Sequence, residues 1–288
     1  MSVAVVGHVE FVEFLQVAHV PVAGEIVQVR GAFAEPAGGG GVAAVQLARL
    51  AGGATLFTAL GDDANGRLAL EGLERRGVRV HVAWRATPQR RANTFIDDEG
   101  ERTIAVIGGR DEPSGADLLP WDELVDCDAV FVTAGDPAAL RAARRARVLV
   151  ATPRVGRALA QSEVALDALV FSSSDPGERY DPGDLHPEPR LVVATAGAAG
   201  GSYIDSAGRR GGWRASALPG PLVDTYGAGD SFAAGLTFGL GAGLEPDDAV
   251  RLAASCGAAC VTGAGPYGAR LDTAAIEAML QRPGVQKP

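Results

Sequence analysis

The segment with the clearest chemical pattern is a small-residue turn that leads into an apolar stretch, reading Asp-Thr-Tyr-Gly-Ala-Gly-Asp-Ser-Phe over residues 224–232. The Gly227–Gly229 backbone carries little side-chain bulk, and the start of the following helix adds partial positive charge. A phosphoryl group fits such a turn, and Asp230 could accept a proton from an attacking hydroxyl. Alternatively, Asp224 and Asp230 could simply cap the helix. The bracketing aspartates favour the chemical interpretation, because the chain's other two Gly-Ala-Gly segments lack them.

The composition excludes several kinds of catalysis. The single lysine of the 288-residue chain is Lys287, so a Walker-A lysine, a Schiff-base lysine and a lysine general base, which need an internal position, are excluded. The formal net charge of -9 disfavours nucleic acid and anionic membranes and favours a small-molecule substrate. The three cysteines argue against a disulfide framework, and no apolar run approaches the roughly 20 residues of a membrane span. We therefore expect a cytoplasmic protein.

The elements that position the turn follow from an alternation of short Val/Ile/Ala-rich runs with amphipathic Ala/Leu/Arg-rich stretches. Predicted core strands are Val3–Val6, Thr55–Leu60, Ala129–Thr133, Val148–Ala151, Ala168–Phe171 and Leu191–Ala194. Predicted helices are Gly40–Ala51, Ala64–Arg76, Ala138–Arg145, Arg157–Ser162, Asp230–Leu240 and Pro246–Val261. The pattern predicts an α/β fold with a doubly wound, mostly parallel sheet flanked by helices, in a single domain over residues 1–288. Ligands of such folds bind at the carboxyl edge of the sheet.

Two segments interrupt this alternation with the pattern of half-exposed strands, Gly24–Phe33 and Arg91–Ile107. In the second segment, Asp97-Asp98-Glu99-Gly100 predicts a hairpin turn. We expect these strands to pair as a small separate β-sheet, built from about residues 10–35 and 85–110.

The turn at residues 224–230 matches the Asp-Thr-x-Gly-Ala-Gly-Asp signature of the PfkB/ribokinase carbohydrate kinases, and the chain resembles that family over nearly its whole length. Similar motifs are Ala-Gly-Gly-Gly-Gly-Val-Ala-Ala at 37–44, Gly-Asp-Asp-Ala-Asn-Gly-Arg at 61–67, Gly-Glu-Arg-Thr at 100–103 and Thr-Ala-Gly-Ala-Ala-Gly at 195–200. The resemblance implies a ribokinase-like fold whose small sheet is a lid over the active site. It also implies Mg²⁺ and ATP as phosphoryl donor, a sugar or nucleoside acceptor, and a plausible homodimer through the lid.

The resemblance also assigns roles by motif position. Asp230 would be the general base, and Gly227, Ala228 and Gly229 would form the anion hole for the transferred phosphoryl group. The residues assigned to the nucleotide site are Thr195, Gly197, Gly200, Ser172 and, near the adenine, Ala254. The residues assigned to metals are Asp175 for Mg²⁺ and Asp224 for a monovalent cation such as K⁺.

The chain departs from the family at three places. Val42 stands where the family usually carries an acceptor-binding Asn, and Val12 falls at or near the usual acceptor-binding Asp. The family's Asn-x-x-Glu motif, which is linked to magnesium and phosphate, aligns with Ser172-Ser173-Ser174-Asp175, where Asp175 is the shorter carboxylate available. These departures concern the acceptor and metal sites and leave the catalytic turn intact.

Candidate acceptor-binding residues follow the first strand and open the glycine-rich segment. His8, Glu10 and Glu13 could hydrogen-bond sugar hydroxyls as a group with paired carboxylates, or they could be ordinary surface charges where the strand reaches solvent. The glycines that could admit the acceptor close to backbone amides, or simply start a helix, are Gly38, Gly39 and Gly40.

The charge of the glycine-rich segment bears on the acceptor class. Family members that bind phosphosugars tend to place Lys or Arg near it, whereas this segment is neutral, so we expect an acceptor without a phosphate group. Arg30, Arg91 or Arg102 could still supply charge from the lid.

We expect an ATP-dependent kinase of a small sugar or sugar-like acceptor, with a nucleoside kinase of the same family as the alternative. The loss of the Asn near position 42 and of the Asn-x-x-Glu motif also leaves open a non-catalytic sugar or nucleotide sensor on this fold. A Rossmann-type oxidoreductase is disfavoured, because Gly7-His8-Val9-Glu10 after the first strand lacks the second glycine of the dinucleotide fingerprint.

Overall fold

The structure is a computed structural model that describes residues 1–269 and residue 271. The strands are β1 Val3–Val6, β2 Glu10–Gln16, β3 Gly31–Ala37, β4 Ala54–Gly61, β5 Val78–Arg85, β6 Arg91–Ile96, β7 Arg102–Ile107, β8 Ala129–Val132, β9 Val148–Ala151, β10 Ala168–Ser172, β11 Leu191–Thr195, β12 Gly201–Asp205 and β13 Arg210–Trp213. The helices are α1 Gly38–Ala51, α2 Ala64–Glu74, α3 Pro137–Ala143, α4 Gly156–Ser162, α5 Ala228–Gly241 and α6 Pro246–Cys260.

The large sheet has nine strands in the order β13-β12-β11-β10-β9-β8-β1-β4-β5. In this sheet, neighbouring strands are parallel across β11, β10, β9, β8, β1, β4 and β5. Strands β12 and β13 continue the sheet in antiparallel pairing. Every residue of β1, β8 and β9 is buried, as expected for parallel strands covered by helices on both faces. The prediction of a doubly wound, mostly parallel sheet is therefore confirmed.

Strand β1 shows how the sheet builds two apolar layers. Val3 and Val5 pack with side chains of α1, α5 and α6, whereas Ala4 and Val6 pack with side chains of α3 and α4. From β1 the chain first extends the sheet through β4 and β5 and later, in the opposite direction, from β8 onward. The carboxyl ends of β1 and β8 therefore lie at the point where the strand order reverses, where open α/β sheets bind ligands.

The small sheet has the order β3-β2-β6-β7 and carries one buried face. On that face the ring of Phe14 stacks on Phe33 at 4.8 Å between centroids and meets the edge of Tyr226 at 4.9 Å. Since Tyr226 lies in the turn before α5, this aromatic contact joins the small sheet to the turn at residues 224–230. We call the small sheet the lid.

The lid strands differ in part from the sequence-based prediction. The hairpin of β6 and β7 is confirmed, with Gly100 at φ 77° donating its N–H to the carbonyl of Asp97. The predicted strand Gly24–Phe33 is wrong in its limits, because β3 runs over Gly31–Ala37 where it pairs with β2. In the described structure, the predicted strand residues before Gly31 pair with no strand, and Ile26 is fully exposed.

Other strands were missed by the sequence analysis. β5 lies at the edge of the large sheet and mixes Arg79 and His81 with its valines, and β13 is rich in glycine, so neither shows the buried apolar pattern. All six residues of β7 are exposed, so the lid has an open edge for the predicted homodimer, which stays a prediction. Within the described residues, no helix is long and apolar enough to cross a membrane.

Candidate active site

The turn before α5 is held by a buried aspartate. Oδ1 of Asp224 accepts the N–H of Tyr226 at 2.7 Å, and Oδ2 accepts the N–H of Gly265 at 2.5 Å. Burial is the largest influence on this carboxyl and raises its pKa. Asp224 thus ties the turn to the loop after α6, and the cation role assigned to it stays a prediction.

The glycines of the turn serve two different purposes. Gly227 has φ 80°, and a Cβ at this position would lie 3.1 Å from Cγ1 of Val42, so the backbone conformation and the packing both favour glycine. Gly229 faces open space, because apart from its chain neighbours and its own helix no described atom lies within 4 Å of the position of a Cβ. Access to the backbone at Gly229 is what an anion at the start of α5 requires.

The start of α5 meets the start of α1. A Cβ at Gly39 would lie 3.0 Å from Oδ1 of Asp230, 3.4 Å from Oγ1 of Thr133 and 3.6 Å from the ring of His8. Gly40 donates its N–H to the carbonyl of His8 at 3.1 Å, which fixes α1 against the end of β1. Two helices of 14 residues each therefore direct their N-terminal ends at the same space, where their dipoles favour negative charge.

Asp230 has the electrostatic properties of a general base. Burial and, after it, the negative charge of Glu178 raise its pKa to about 6, against the opposing attraction of Arg154 and Arg102. A carboxyl group that titrates near the working pH is an effective proton acceptor and is still ionised at neutral pH.

Glu178 is a functional candidate that the sequence analysis missed. Its Oε1 accepts from Nε of Arg154 at 2.7 Å, and its Oε2 accepts the N–H of Ser172 at 2.8 Å. Asp175 begins the same short turn and accepts from Nη2 of Arg154 at 2.5 Å. The spacing Asp175-x-x-Glu178 was the available signal, because it keeps the Asn-x-x-Glu spacing with aspartate in place of asparagine. The proposed alignment at residues 172–175 places the motif three residues too early to include this glutamate.

The residues assigned to the nucleotide lie along the carboxyl ends of β10 and β11. Ser172 and Thr195 are neighbours in the parallel register of these strands. Gly197 and Gly200 have φ 55° and 91° and bound a single 3₁₀ turn, which exposes backbone groups at the sheet edge. Ala254 lies apart from them in α6, where it is buried in the apolar layer.

The acceptor candidates are only partly brought together. His8 and Glu10 are buried beside Gly38, with Nε2 of His8 3.7 Å from Oε1 of Glu10. Glu13 is exposed and lies on the opposite face of β2 from Glu10. The hypothesis of paired carboxylates is therefore wrong, because side chains three residues apart on a strand point to opposite faces.

Two arginines that the sequence analysis did not name lie beside the buried acceptor candidates. Nε of Arg90 donates to Oε1 of Glu10 at 2.7 Å, and Nη2 of Arg110 donates to the carbonyl of Thr133 at 2.5 Å. Burial, followed by the charges of Arg110, Arg90 and Arg154, holds the pKa of His8 well below its usual value. His8 is therefore neutral at physiological pH.

The lid also contacts the catalytic turn through a charged side chain. Nη1 of Arg102 donates to the carbonyl and to Oγ1 of Thr225, both at 3.0 Å. Within the described residues, no cluster of three or more His, Cys, Asp or Glu side chains forms a metal-binding group. The Mg²⁺ role of Asp175 stays a prediction.

Comparisons with known proteins agree with this geometry. A family model described as the pfkB family carbohydrate kinase matches residues 1–157 and 183–274. The ATP-dependent ribose-1-phosphate kinase of Halopiger xanaduensis is 31% identical, over 92% of this chain and 92% of that protein. The fructokinase of Salmonella typhimurium is 30% identical, over 80% of this chain and 87% of that protein.

A solved structure shows the same fold. A microbiome-derived acarbose kinase superposes with a TM-score of 0.81 at 23% identity, over 98% of this chain and 99% of that chain. The ribokinase-like fold expected from the sequence is confirmed.

Proposed function

The chain belongs to the pfkB family of carbohydrate kinases, and from this premise we propose how it works. It transfers the γ-phosphoryl group of ATP to a hydroxyl of a small carbohydrate held between the lid and the start of α1. Asp230 is the general base, and the backbone of Gly227–Gly229 is the anion hole. The observation that carries this proposal is the convergence of Oδ1 of Asp230 with the N-terminal ends of α1 and α5 at Gly39.

The proton transfer follows from the surroundings of Asp230. With a pKa of about 6, the carboxylate is ionised at neutral pH and still basic enough to take the proton of the attacking hydroxyl. The open backbone at Gly229 then receives the charge that develops on the transferred group. Phosphoryl transfer needs little covalent chemistry from the protein, so positioning and electrostatic stabilisation account for most of the catalysis.

The donor nucleotide is assigned to the ends of β10 and β11, with Ser172, Thr195 and the glycines of the adjacent turn along its phosphates. Glu178 and Asp175 are the carboxylates available to hold Mg²⁺ on this side. Both already accept hydrogen bonds from Arg154, which suits a metal that keeps several of its waters. Bound Mg²⁺ would neutralise charge on the phosphate oxygens.

The lid has the contacts needed to exclude water during the transfer. The Phe14 ring and the Arg102 guanidinium both contact the turn before α5, so lid position and catalytic turn are coupled. Exclusion of water would limit hydrolysis of ATP in the absence of an acceptor.

A non-catalytic sensor is the alternative from a different functional class. The departure at Val42 motivates it, since this side chain is buried and apolar where the family usually carries an Asn. The raised pKa of Asp230 favours the kinase, because a sensor has no need of an ionisable group held against its own desolvation. A nucleoside kinase differs only in the acceptor, and the two named relatives act on different acceptors, one of which carries a phosphate.

The test is ADP formation by the purified protein with Mg-ATP and a panel of free sugars, sugar phosphates and nucleosides. Asp230→Asn should lower turnover by about 100- to 10,000-fold without loss of the fold. Asp122→Asn, at a side chain 93% exposed, is the matched control and should behave as wild type. Acceptor binding without ADP formation by the wild-type protein would favour the sensor.

A further inference from the structure

The acceptor side of the site carries more positive charge than its glycine-rich segment indicates. Arg90 precedes β6 and Arg110 follows β7, so the two residues at the ends of the lid hairpin return to the large sheet. There Arg90 contacts Glu10, and Arg110 contacts the backbone of Thr133, whose Oγ1 lies 3.4 Å from Nδ1 of His8. Each guanidinium group therefore contacts a residue beside the glycines that open α1, because Glu10 lies against Gly38 and Thr133 against Gly39.

These arginines are held close together despite their repulsion. Burial lowers the pKa of Arg110, the attraction of Glu112 opposes this, and the charges of Arg90 and Arg154 lower the pKa further. Clustering of like charges in a half-buried site is unfavourable unless a negative group offsets it.

The carboxylates of the protein offset this charge only in part. Glu10 pairs with Arg90, and Glu112, whose side chain is 39% exposed, attracts Arg110 from 3.0 Å. Nε of Arg110 is buried and, among the described residues, makes no hydrogen bond, although Glu112 lies 3.0 Å away. By contrast, Arg154 already donates to both Asp175 and Glu178.

The two acceptor-side arginines keep most of their donors for a ligand. A guanidinium group has five N–H donors in a planar fork that matches phosphate. Within the described part of the chain, the Arg90 guanidinium donates one hydrogen bond and so does that of Arg110. Two such positive groups bind a phosphate more strongly than the hydroxyls of a neutral sugar, because charge-assisted hydrogen bonds are the stronger ones.

We infer that the acceptor is a sugar that already carries a phosphate group, which Arg90 and Arg110 bind while a hydroxyl elsewhere on the sugar faces Asp230. This inference rests on the proposed kinase function. It reverses the expectation of an unphosphorylated acceptor, because the charge comes from the ends of the lid hairpin and not from the glycine-rich segment.

The phosphates of the donor are a less suitable ligand for these arginines. The donor side lies at the ends of β10 and β11, and β9 and β8 separate those strands from β1 in the large sheet. Arg90 and Arg110 contact residues at the ends of β1 and β8 and at the start of β2. The direct contacts of Arg90 and Arg110 therefore assign them to the acceptor, next to the donor side, from which the charge of Arg154 reaches Arg110.

The test compares ribose with ribose 1-phosphate and ribose 5-phosphate, and fructose with fructose 6-phosphate, by ADP formation. At least one sugar phosphate should exceed its free sugar by about 100-fold in kcat/KM, as two charge-assisted contacts would produce. Arg110→Gln should raise the KM for that sugar phosphate about 10- to 100-fold and leave the KM for ATP unchanged. Arg110→Lys keeps the charge without the planar fork of donors, so its KM for the sugar phosphate should lie between those of the wild type and Arg110→Gln.

The control is Arg145→Gln, which removes an exposed guanidinium that pairs with Asp122 at the surface. It should leave every kinetic constant unchanged. An increase in the KM for ATP in Arg110→Gln equal to that for the acceptor would instead place the arginine on the donor side and overturn the inference. Equal kcat/KM values for a free sugar and its phosphate would also overturn it, while the kinase function stood.

If the wild-type protein forms no ADP with any acceptor, the proposed function fails, but the inference is still decided by binding. Calorimetry without ATP should then show at least about tenfold tighter binding of a sugar phosphate than of its free sugar, lost in Arg110→Gln. Equal binding of the two, or binding of neither, would refute the phosphate site.

Discussion

Replacement of Asp230 by Asn should stabilise the protein while it lowers turnover. The carboxyl has its pKa raised from 3.8 to about 6, chiefly by burial, so ionisation of this group opposes folding at neutral pH. A rise of about two pKa units corresponds to roughly 3 kcal/mol at about 1.4 kcal/mol per unit. Because Asp230 is only partly buried and keeps solvent contact, we expect a gain of about 1–2 kcal/mol in the free energy of unfolding.

The pH dependence gives this prediction its sign. The folded state binds the proton of Asp230 more tightly than the unfolded state, so wild-type stability from this group is complete below the unfolded pKa and is lost as pH rises towards 6. Asn cannot ionise and has no such loss. The advantage of Asp230→Asn should therefore be full at about pH 7.5 and fall to roughly a third at about pH 4.5.

The assay is urea unfolding of wild type and Asp230→Asn at both pH values, with Asp122→Asn as the exposed control. Asp122 is 93% exposed, so its replacement should change the free energy of unfolding by less than about 0.5 kcal/mol. Equal stability of wild type and Asp230→Asn at the higher pH would refute the assignment of the raised pKa to burial. A stabilisation that grew as the pH fell would contradict its sign.

Three further changes test the site. Glu178→Gln removes the negative charge that raises the pKa of Asp230, so the acid limb of the kcat/KM profile should move to lower pH; an unmoved limb would contradict the coupling. Gly227→Ala should lower the free energy of unfolding by about 1–2 kcal/mol in urea titrations, because φ is 80° and the new Cβ would lie 3.1 Å from Val42. Arg102→Gln loses the lid's hydrogen bonds to the catalytic turn, so the KM for the acceptor should rise roughly tenfold. Acceptor-independent ATP hydrolysis should rise with it, and hydrolysis at the wild-type rate would argue against a role in closure.

The fold could be predicted from local patterns where each strand is buried on both faces. The runs Val3–Val6 and Val148–Ala151 are strands with the predicted bounds, because continuous short apolar runs bury themselves in a parallel sheet. Edge strands such as β5 and β13 were missed, since charged residues and glycines hide their pattern. The start of β3 was misplaced because its limits depend on pairing with β2.

The sequence alone predicted a catalytic role for the turn at residues 224–230, the helix that contains Asp230 and the exclusion of lysine chemistry, because each depends on residues adjacent along the chain or on composition. Only the tertiary structure decided which charges act on the site. Glu178, Arg90 and Arg110 reach it from separate segments, and strand geometry removed Glu13 from the pair with Glu10. Electrostatic interactions depend on distance in space, which the order of residues does not contain. The inference of a phosphorylated acceptor therefore depends on how the lid hairpin folds onto the large sheet.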